Sequence, residues 1–393
     1  LNKSHYAVNK LPRDQAHLLL KGVAEMPVVT LMGPRQAGKT TLARDVLPEW
    51  SYVNLEQLDH RTQAIEDPVG FLDHYGPQLI IDEVQHAPDL LSYIQVRVDE
   101  LGGNGHYVLT GSHNLMLLRQ VSQSLAGRTY IQELLPLSAA ELDAAGLLPD
   151  NVDQWIFRGG YPRLYEQPRD PAPWLLSYIQ TYVERDVRQV IDLRNVSLFS
   201  KFIQIAAGRI GQLWNQASVA TEVGVDANTI NSWMSVLETS YIVFKLQPHF
   251  ENFTKRLVKS PKLYFSDTGL ACALLGLQTP DDLARHWARG ALFENAIIVD
   301  RYKAALNKGR RPNLYFWRDS HGVEIDLLED GPTRKLTEIK SGSTITSAMF
   351  NSLHKYRELY PRKVECALVY SGSDGPPRDG IRVLNWKQYM REQ

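Results

Sequence analysis

The sequence predicts an α/β fold, with a three-layer parallel sheet in its first third, on three observations. Short apolar runs alternate with stretches of helical spacing as far as residue 112, the pattern of parallel strands covered on both faces. Between the first run and its helix stands Gly33-Pro34-Arg35-Gln36-Ala37-Gly38-Lys39-Thr40-Thr41, a match to G-x-x-x-x-G-K-S/T. A third run, Gln78-Leu79-Ile80-Ile81-Asp82-Glu83, ends in two carboxylates. Such sheets bind ligands at the carboxyl ends of their strands, and the loop and the carboxylates both fall there.

In chain order, residues 14–25 have helical spacing. They lead into Pro27-Val28-Val29-Thr30-Leu31-Met32, an apolar, β-branched run that reads as a buried strand. The helix from Thr41 to Leu47 stops at Pro48. Ser51 to Leu55 is a second short strand and Leu90 to Asp99 a helix. After the Gly102-Gly103-Asn104-Gly105 turn, His106 to Thr110 forms a further strand ending at Gly111-Ser112.

Strand, glycine loop and helix together make a cradle of backbone N–H groups for a polyphosphate. Gly33 and Gly38 permit the tight turn, Lys39 can reach the β and γ phosphates, and the Thr40 hydroxyl can ligate Mg²⁺. ATP and Mg²⁺ are thus the expected ligands. Asp82 would hold the metal through its water shell, while Glu83 would orient and deprotonate the attacking water. Ser112 is placed to sense the γ-phosphate, with Thr110 or Asn114 as alternatives. Phosphoryl transfer gains from an arginine at the transition-state charge, often from a neighbouring subunit. Arg128, in Ser124-Leu125-Ala126-Gly127-Arg128, is the first candidate and Arg185 the second.

From Leu134 to about residue 210 helical spacing dominates, including Trp174 to Ile191, and the stretch reads as a helical lid over the nucleotide. Residues 211–270 suggest a winged helix. Its helices are Ser218 to Val223 and Ala227 to Glu238, turned at Gly224 and capped by Asp226, and its wing strands are Tyr241 to Leu246 and Lys262 to Phe265. The putting of Asn228, Thr229, Asn231, Ser232 and Trp233, with no Arg or Lys, on the second helix removes the bidentate arginine that reads bases. Lys255, Arg256, Lys259 and Lys262 make the wing loop basic, suited to DNA phosphates without sequence preference.

The last segment has its own constellation. Gly290 to Leu306 is helical and carries Glu294; Asn313 to Arg318 and Val323 to Leu328 form a hairpin; Lys335 to Lys340 is a strand, followed by the helix Ser347 to Leu359 and the strand Val364 to Tyr370. Asp326, Glu338 and Lys340 fit the PD-(D/E)xK nuclease pattern, with Glu294 supplied by the preceding helix. Three carboxylates so placed can hold Mg²⁺ at a scissile phosphate while the lysine positions water. The expected domains are 1–135, an ATPase core; 136–210, a lid; 211–284, a winged helix; and 285–393, a nuclease-like domain.

The totals fit this division. At 393 residues the chain exceeds one ordinary core. A net charge of −1 gives no bulk attraction to nucleic acid, so any such binding must come from local patches. Cys272 and Cys366 lack C-x-x-C spacing and the eleven histidines form no cluster, so reduced thiols, a cytoplasmic location and no structural zinc are expected. No apolar run approaches the roughly eighteen residues of a membrane span, and no membrane partner is expected.

With these residues in hand the chain resembles a widespread prokaryotic family of AAA+-superfamily ATPases that join a P-loop ATPase to a C-terminal domain with a nuclease-like end. The matching stretches, in order, are the Gly33 to Thr41 loop, Asp82-Glu83-Val84-Gln85, Leu109-Thr110-Gly111-Ser112, Ser124 to Arg128, Gly159-Gly160-Tyr161-Pro162, Lys255-Arg256-Leu257 with Ser260-Pro261-Lys262, Asp267-Thr268-Gly269-Leu270, and Thr337-Glu338-Ile339-Lys340-Ser341-Gly342. The resemblance implies an AAA+-like core and a homo-oligomeric ring of about six subunits that couples ATP turnover to moving nucleic acid or protein. Three functions follow as expectations: an ATP-driven motor on duplex or branched DNA, an ATP-gated nuclease, or a nucleotide switch that binds a partner protein.

Overall fold

Local hydrophobic pattern decides the first layer of structure. In the computed structural model, residues 11–112, 121, 123–167, 169–183, 196–250, 260–360 and 362–392 are described. The apolar runs become β1 (Val28–Gly33), β2 (Ser51–Asn54), β3 (Leu79–Asp82) and β4 (Tyr107–Ser112), joined by β5 (Thr129–Glu133). They form one sheet in the order β2-β3-β4-β1-β5, and every pairing is parallel. The two-residue period of β1 sorts its side chains. Val29 and Leu31 share a core with Leu19 of α1 (Ala16–Glu25) and Leu42 of α2 (Lys39–Val46). Val28 and Met32 face the other way, into a core with Phe71 of α4 (Pro68–Tyr75), which follows α3 (Leu58–Glu66), and Ile94 of α5 (Leu90–Leu101). The three-layer parallel sheet is thus present. β5, α3 and α4 were not anticipated, because β5 is a half-exposed edge strand and the two helices have weak apolar faces.

The rest of the chain is organised around a second sheet. It comprises β6 (Val243–Pro248), β7 (Lys262–Phe265), β8 (Leu314–Arg318), β9 (Glu324–Glu329), β10 (Arg334–Lys340), β11 (Val364–Tyr370), β12 (Gly375–Arg378) and β13 (Ile381–Asn385), in the order β12-β13-β11-β10-β9-β8-β6-β7. The hairpin read from sequence as a wing is therefore the edge of this sheet. β6 joins β8 in parallel, Gln247 opposite Tyr315 and Pro248 opposite Phe316, and the division at residue 284 runs through a continuous sheet.

A single hydrophobic core also crosses the divisions at 210 and 284. It draws Trp155 of α7 (Val152–Arg158, after α6, Ala139–Ala144), Phe199 of α10 (Val196–Ala207), Trp233, Phe265, Phe316 and Trp386 into one cluster. Between α7 and α10 lie α8 (Arg163–Glu166) and α9 (Pro171–Tyr178). The helix pair α11 (Gln216–Val223) and α12 (Ala227–Thr239) turns at Gly224, φ +91°, with Asp226 accepting from the Thr229 N–H at 3.0 Å. That is the cap the sequence indicates. After α13 (Thr268–Leu274) and α14 (Pro280–Arg285), the nineteen-residue α15 (Arg289–Asn307) runs through the core. The helices α16 (Asn351–Leu359) and α17 (Trp386–Arg391) close the fold, with Trp386 stacked on Trp155 at a centroid distance of 4.9 Å.

Candidate functional site

The glycine loop is held in a conformation that only glycine tolerates at its ends. Gly33 has φ +149°, and a Cβ there would collide with the Leu134 carbonyl oxygen. Gly38 has φ +94° and stands as N-cap to α2. The Lys39 ammonium, 5% exposed, donates to the carbonyls of Gly33 at 2.9 Å and Pro34 at 2.8 Å, so its charge is fixed at the loop. The Thr40 hydroxyl, in the first turn of α2, donates to Asp82 at the end of β3 at 2.8 Å. Tyr52 donates to the other Asp82 oxygen at 2.9 Å, and Thr110 also donates to Asp82. Burial, reinforced by the Asp82 charge, pushes the Tyr52 hydroxyl far above its ordinary pKa and keeps it a donor.

Glu83 follows in the left-handed region, φ 56° and ψ 48°, which costs a residue with a side chain about 1–2 kcal/mol. Strain of that kind persists where surrounding contacts fix it, and it gathers at functional sites. Here the Glu83 N–H donates to Thr110 Oγ1 at 3.3 Å, and the Gln85 amide donates to the Glu83 carboxylate. Arg35, Gln36, Lys39, Thr40, Asp82 and Glu83 line one cleft of about 270 Å³. The donor set fits a magnesium nucleotide: a hydroxyl and a carboxylate already in contact, a fixed ammonium, and a loop with no Cβ at its tight ends. Thr110 reaches this site through Asp82. Ser112 ends β4 opposite Gly33.

Sequence reasoning missed two arginines. Arg13 donates to the carbonyls of Ala37 at 2.6 Å and Leu135 at 2.7 Å and pairs with buried Glu141 at 2.8 Å, bracing the loop from behind. Burial favours the neutral form of Glu141, but Arg13 and the N–H groups of Ser138 and Asp14 outweigh it and hold the carboxyl below its ordinary range. Arg163 lines the nucleotide cleft, is exposed, and has no carboxylate partner among the described residues. Its signal was its place directly after Gly159-Gly160-Tyr161-Pro162. That motif is anchored by the Gly160 N–H donating to Asp267 at 2.7 Å and by the tilted pair of Tyr161 with Tyr178, whose hydroxyl donates to the Arg35 carbonyl at 3.2 Å.

Arg128 lies elsewhere. Its carbonyl accepts from the Val28 N–H at the amino-terminal edge of the sheet, a strand length of about 20 Å from the loop. Its guanidinium pairs with Asp99 at 2.7 and 2.8 Å. Within its own chain it is a surface ion pair and does not reach the cleft. Arg185, Asn114, Lys255, Arg256 and Lys259 lie outside the described residues.

The C-terminal constellation does converge, but with two lysines inside it. Lys340 pairs with Asp326 at 3.2 Å and Glu338 at 2.6 Å. Lys262, expected on an exposed wing, is 3% exposed and pairs with Glu294 at 3.1 Å and with Glu324. The Ile339 N–H donates to Asp326 at 2.8 Å, and Ser352 donates to Glu338 at 2.8 Å. One reading is therefore corrected. A DNA phosphate cannot reach a Lys262 ammonium that α15 and β9 enclose. The carboxylates of Glu294, Asp326 and Glu338 already have cations, and among the described residues no group of three His, Cys, Asp or Glu is arranged to hold a metal. Burial, and then the Asp326 charge, raises Glu338 to about 7 against the pull of Lys340. Burial likewise raises Glu294 against Lys262.

Comparison with known proteins divides the chain into three matches. A family model described as an AAA domain matches residues 25–143, one described as a domain of unknown function (DUF8612) matches 149–281, and another (DUF4143) matches 289–389. The uncharacterized proteins Rv2008c of Mycobacterium tuberculosis and Mb2031c of Mycobacterium bovis are each 33% identical over 339 residues, covering 84% of this chain and 74% of the relative. The uncharacterized protein MJ1544 of Methanocaldococcus jannaschii is 22% identical over 347 residues, covering 79% and 74%. Among solved structures, the Walker-type ATPase PABY2304 of Pyrococcus abyssi superposes with a TM-score of 0.44 at 13% identity, over 67% of this chain and 96% of that one. No described helix is long and apolar enough to cross a membrane.

Proposed function

The chain belongs to an AAA-type ATPase family that includes the mycobacterial protein Rv2008c, and from that premise we propose that it hydrolyses ATP in the β1 loop cleft to drive action on DNA. One observation carries the ATPase reading: Lys39, Thr40, Asp82 and Glu83, remote in sequence, converge on a single cleft. Lys39 and the loop N–H groups hold the polyphosphate. Thr40 and Asp82 are the residues that would hold Mg²⁺, which when bound supplies positive charge to the β and γ oxygens. Glu83 orients the attacking water and takes its proton. Thr110 holds the Asp82 carboxylate and the Glu83 backbone N–H. Arg163 adds a positive charge to the same cleft.

Coupling to duplex or branched DNA, as a ring of about six subunits, is the leading reading of the whole protein. It is supported by the family's P-loop core and by clusters of basic residues outside that core. Metal-dependent strand cleavage would require Lys262 and Lys340 to give up carboxylate oxygens that they now hold. ATP turnover by the wild-type chain, Lys39→Ala and Glu83→Gln tests the reading. Lys39→Ala should lose nucleotide binding. Glu83→Gln should retain it and turn over roughly 10²- to 10⁴-fold more slowly, the usual worth of a general base. Equal turnover in wild type and Glu83→Gln removes Glu83 from the chemistry; failure of wild type to bind ATP removes the whole reading.

A further inference from the structure

A second cleft, of about 320 Å³, opens where the carboxyl end of α15 meets the β9–β10 turn. Its floor is Ala304 and Ala305, and its rim carries Lys308, Arg310, Arg311 and Lys335, all exposed. Three carboxylates also line it, and each is already engaged. Glu329 pairs with Arg301 at 2.8 Å, Asp330 with Arg334 at 3.4 Å, and Glu392 with Arg382. The four rim cations have no carboxylate partner among the described residues. Arg301 Nε, at the same wall, is buried and has no acceptor.

A helix dipole alone accounts for part of this. Basic residues after a helix carboxyl end complement its negative pole, which covers Lys308, Arg310 and Arg311. Lys335 belongs to β10 and owes nothing to that dipole, yet it completes the same rim. Nor does the cleft suit a nucleobase, for no aromatic ring lines it. Solvated, unpaired cations around an open cleft are what sequence-independent contact with phosphates requires.

We infer that this cleft is where the chain grips the phosphate backbone of duplex nucleic acid, through Lys308, Arg310, Arg311 and Lys335. The inference rests on the DNA reading above and assigns the contact to residues other than Lys255, Arg256 and Lys259. Counterion release sets its size. Each phosphate neutralised contributes about 0.9 to the slope of log affinity against log salt, so four cations contribute about 3 to 4.

The test is fluorescence anisotropy of a short labelled duplex across a salt series. It compares the full wild-type chain, a cleft variant (Lys308→Ala, Arg310→Ala, Arg311→Ala, Lys335→Ala) and a wing variant (Lys255→Ala, Arg256→Ala, Lys259→Ala). Basal ATP turnover is the folding control, since none of the four residues changed in the cleft variant lines the nucleotide cleft. Wild-type binding with a slope lowered by about 3 in the cleft variant, and a much smaller change in the wing variant, supports the inference. Wild-type binding with the cleft variant unchanged overturns it and leaves DNA action standing. No binding by wild type at low salt ends both.

Discussion

Replacing Lys262 by methionine isolates the electrostatics of the C-terminal cluster. The methionine keeps an unbranched side chain of similar length but removes the ammonium that Glu294 and Glu324 share. Among the described residues Glu294 then keeps the Tyr264 hydroxyl as its one side-chain donor in a buried setting, with Asp326 close enough to disfavour its charge further. Breaking a buried ion pair from one side costs about 3–5 kcal/mol, and the lower end applies because Glu324 retains Arg318 at 3.5 Å. Urea unfolding followed by intrinsic fluorescence should place Lys262→Met about 3 kcal/mol below wild type. Adding Glu294→Gln removes the stranded charge and should recover roughly half of that loss. A single variant within about 1 kcal/mol of wild type would refute the enclosed-lysine argument. So would stabilisation of wild type by Mn²⁺ in the absence of nucleotide, since the ammonium and a metal compete for the same oxygens.

Three further outcomes are expected. Arg163→Ala should slow ATP hydrolysis roughly 10- to 100-fold, the worth of one charged hydrogen bond to phosphate, and unchanged kcat and KM would take Arg163 out of the site. Thr110→Val should slow turnover more than it weakens nucleotide binding, because Thr110 touches Asp82 and Glu83 rather than the loop; a loss confined to binding contradicts that placement. Glu338 has its folded pKa raised from 4.5 to about 7, so between those values the folded state holds a proton that the unfolded state has released. Its contribution is therefore full below about pH 4.5 and declines as pH rises to about 7, by at most about 1.4 kcal/mol per pH unit. Glu338→Gln should flatten that part of the stability-against-pH curve, and an unchanged slope would show that Glu338 is not the group responsible.

The nucleotide site was legible because its chemistry is local. A loop with glycine at both ends, a lysine beside a threonine, and an apolar strand ending in two acids each announce themselves within nine residues or fewer. What sequence missed was brought in from far along the chain. Arg13 reaches Ala37 and Leu135, and Arg163 enters the cleft from beyond the sheet; no periodicity encodes such meetings. The β6–β7 hairpin was found with nearly the right ends, yet its partner β8 could not be read, because hydropathy marks a strand and leaves its neighbour open. Lys262 failed for the same reason. Whether a lysine at a strand start snorkels to water or is enclosed depends on Glu294 and Glu324, which arrive from α15 and β9.

One long helix sets how the chain can be altered. Along α15, Glu294 meets Lys262, Asp300 accepts from the Ala139 N–H at 2.6 Å, Lys303 donates to the Leu137 carbonyl at 3.1 Å, and Asn307 accepts from Gln15 at 3.0 Å. Adding or deleting one residue between the first and last of these rotates everything beyond it by about 100° and slides it about 1.5 Å. No loop lies between them to absorb the change. Sequence length from 294 to 307 is thus a fixed dimension of the molecule, like the shaft between two meshed gears, and linkers or fusion joints belong outside it.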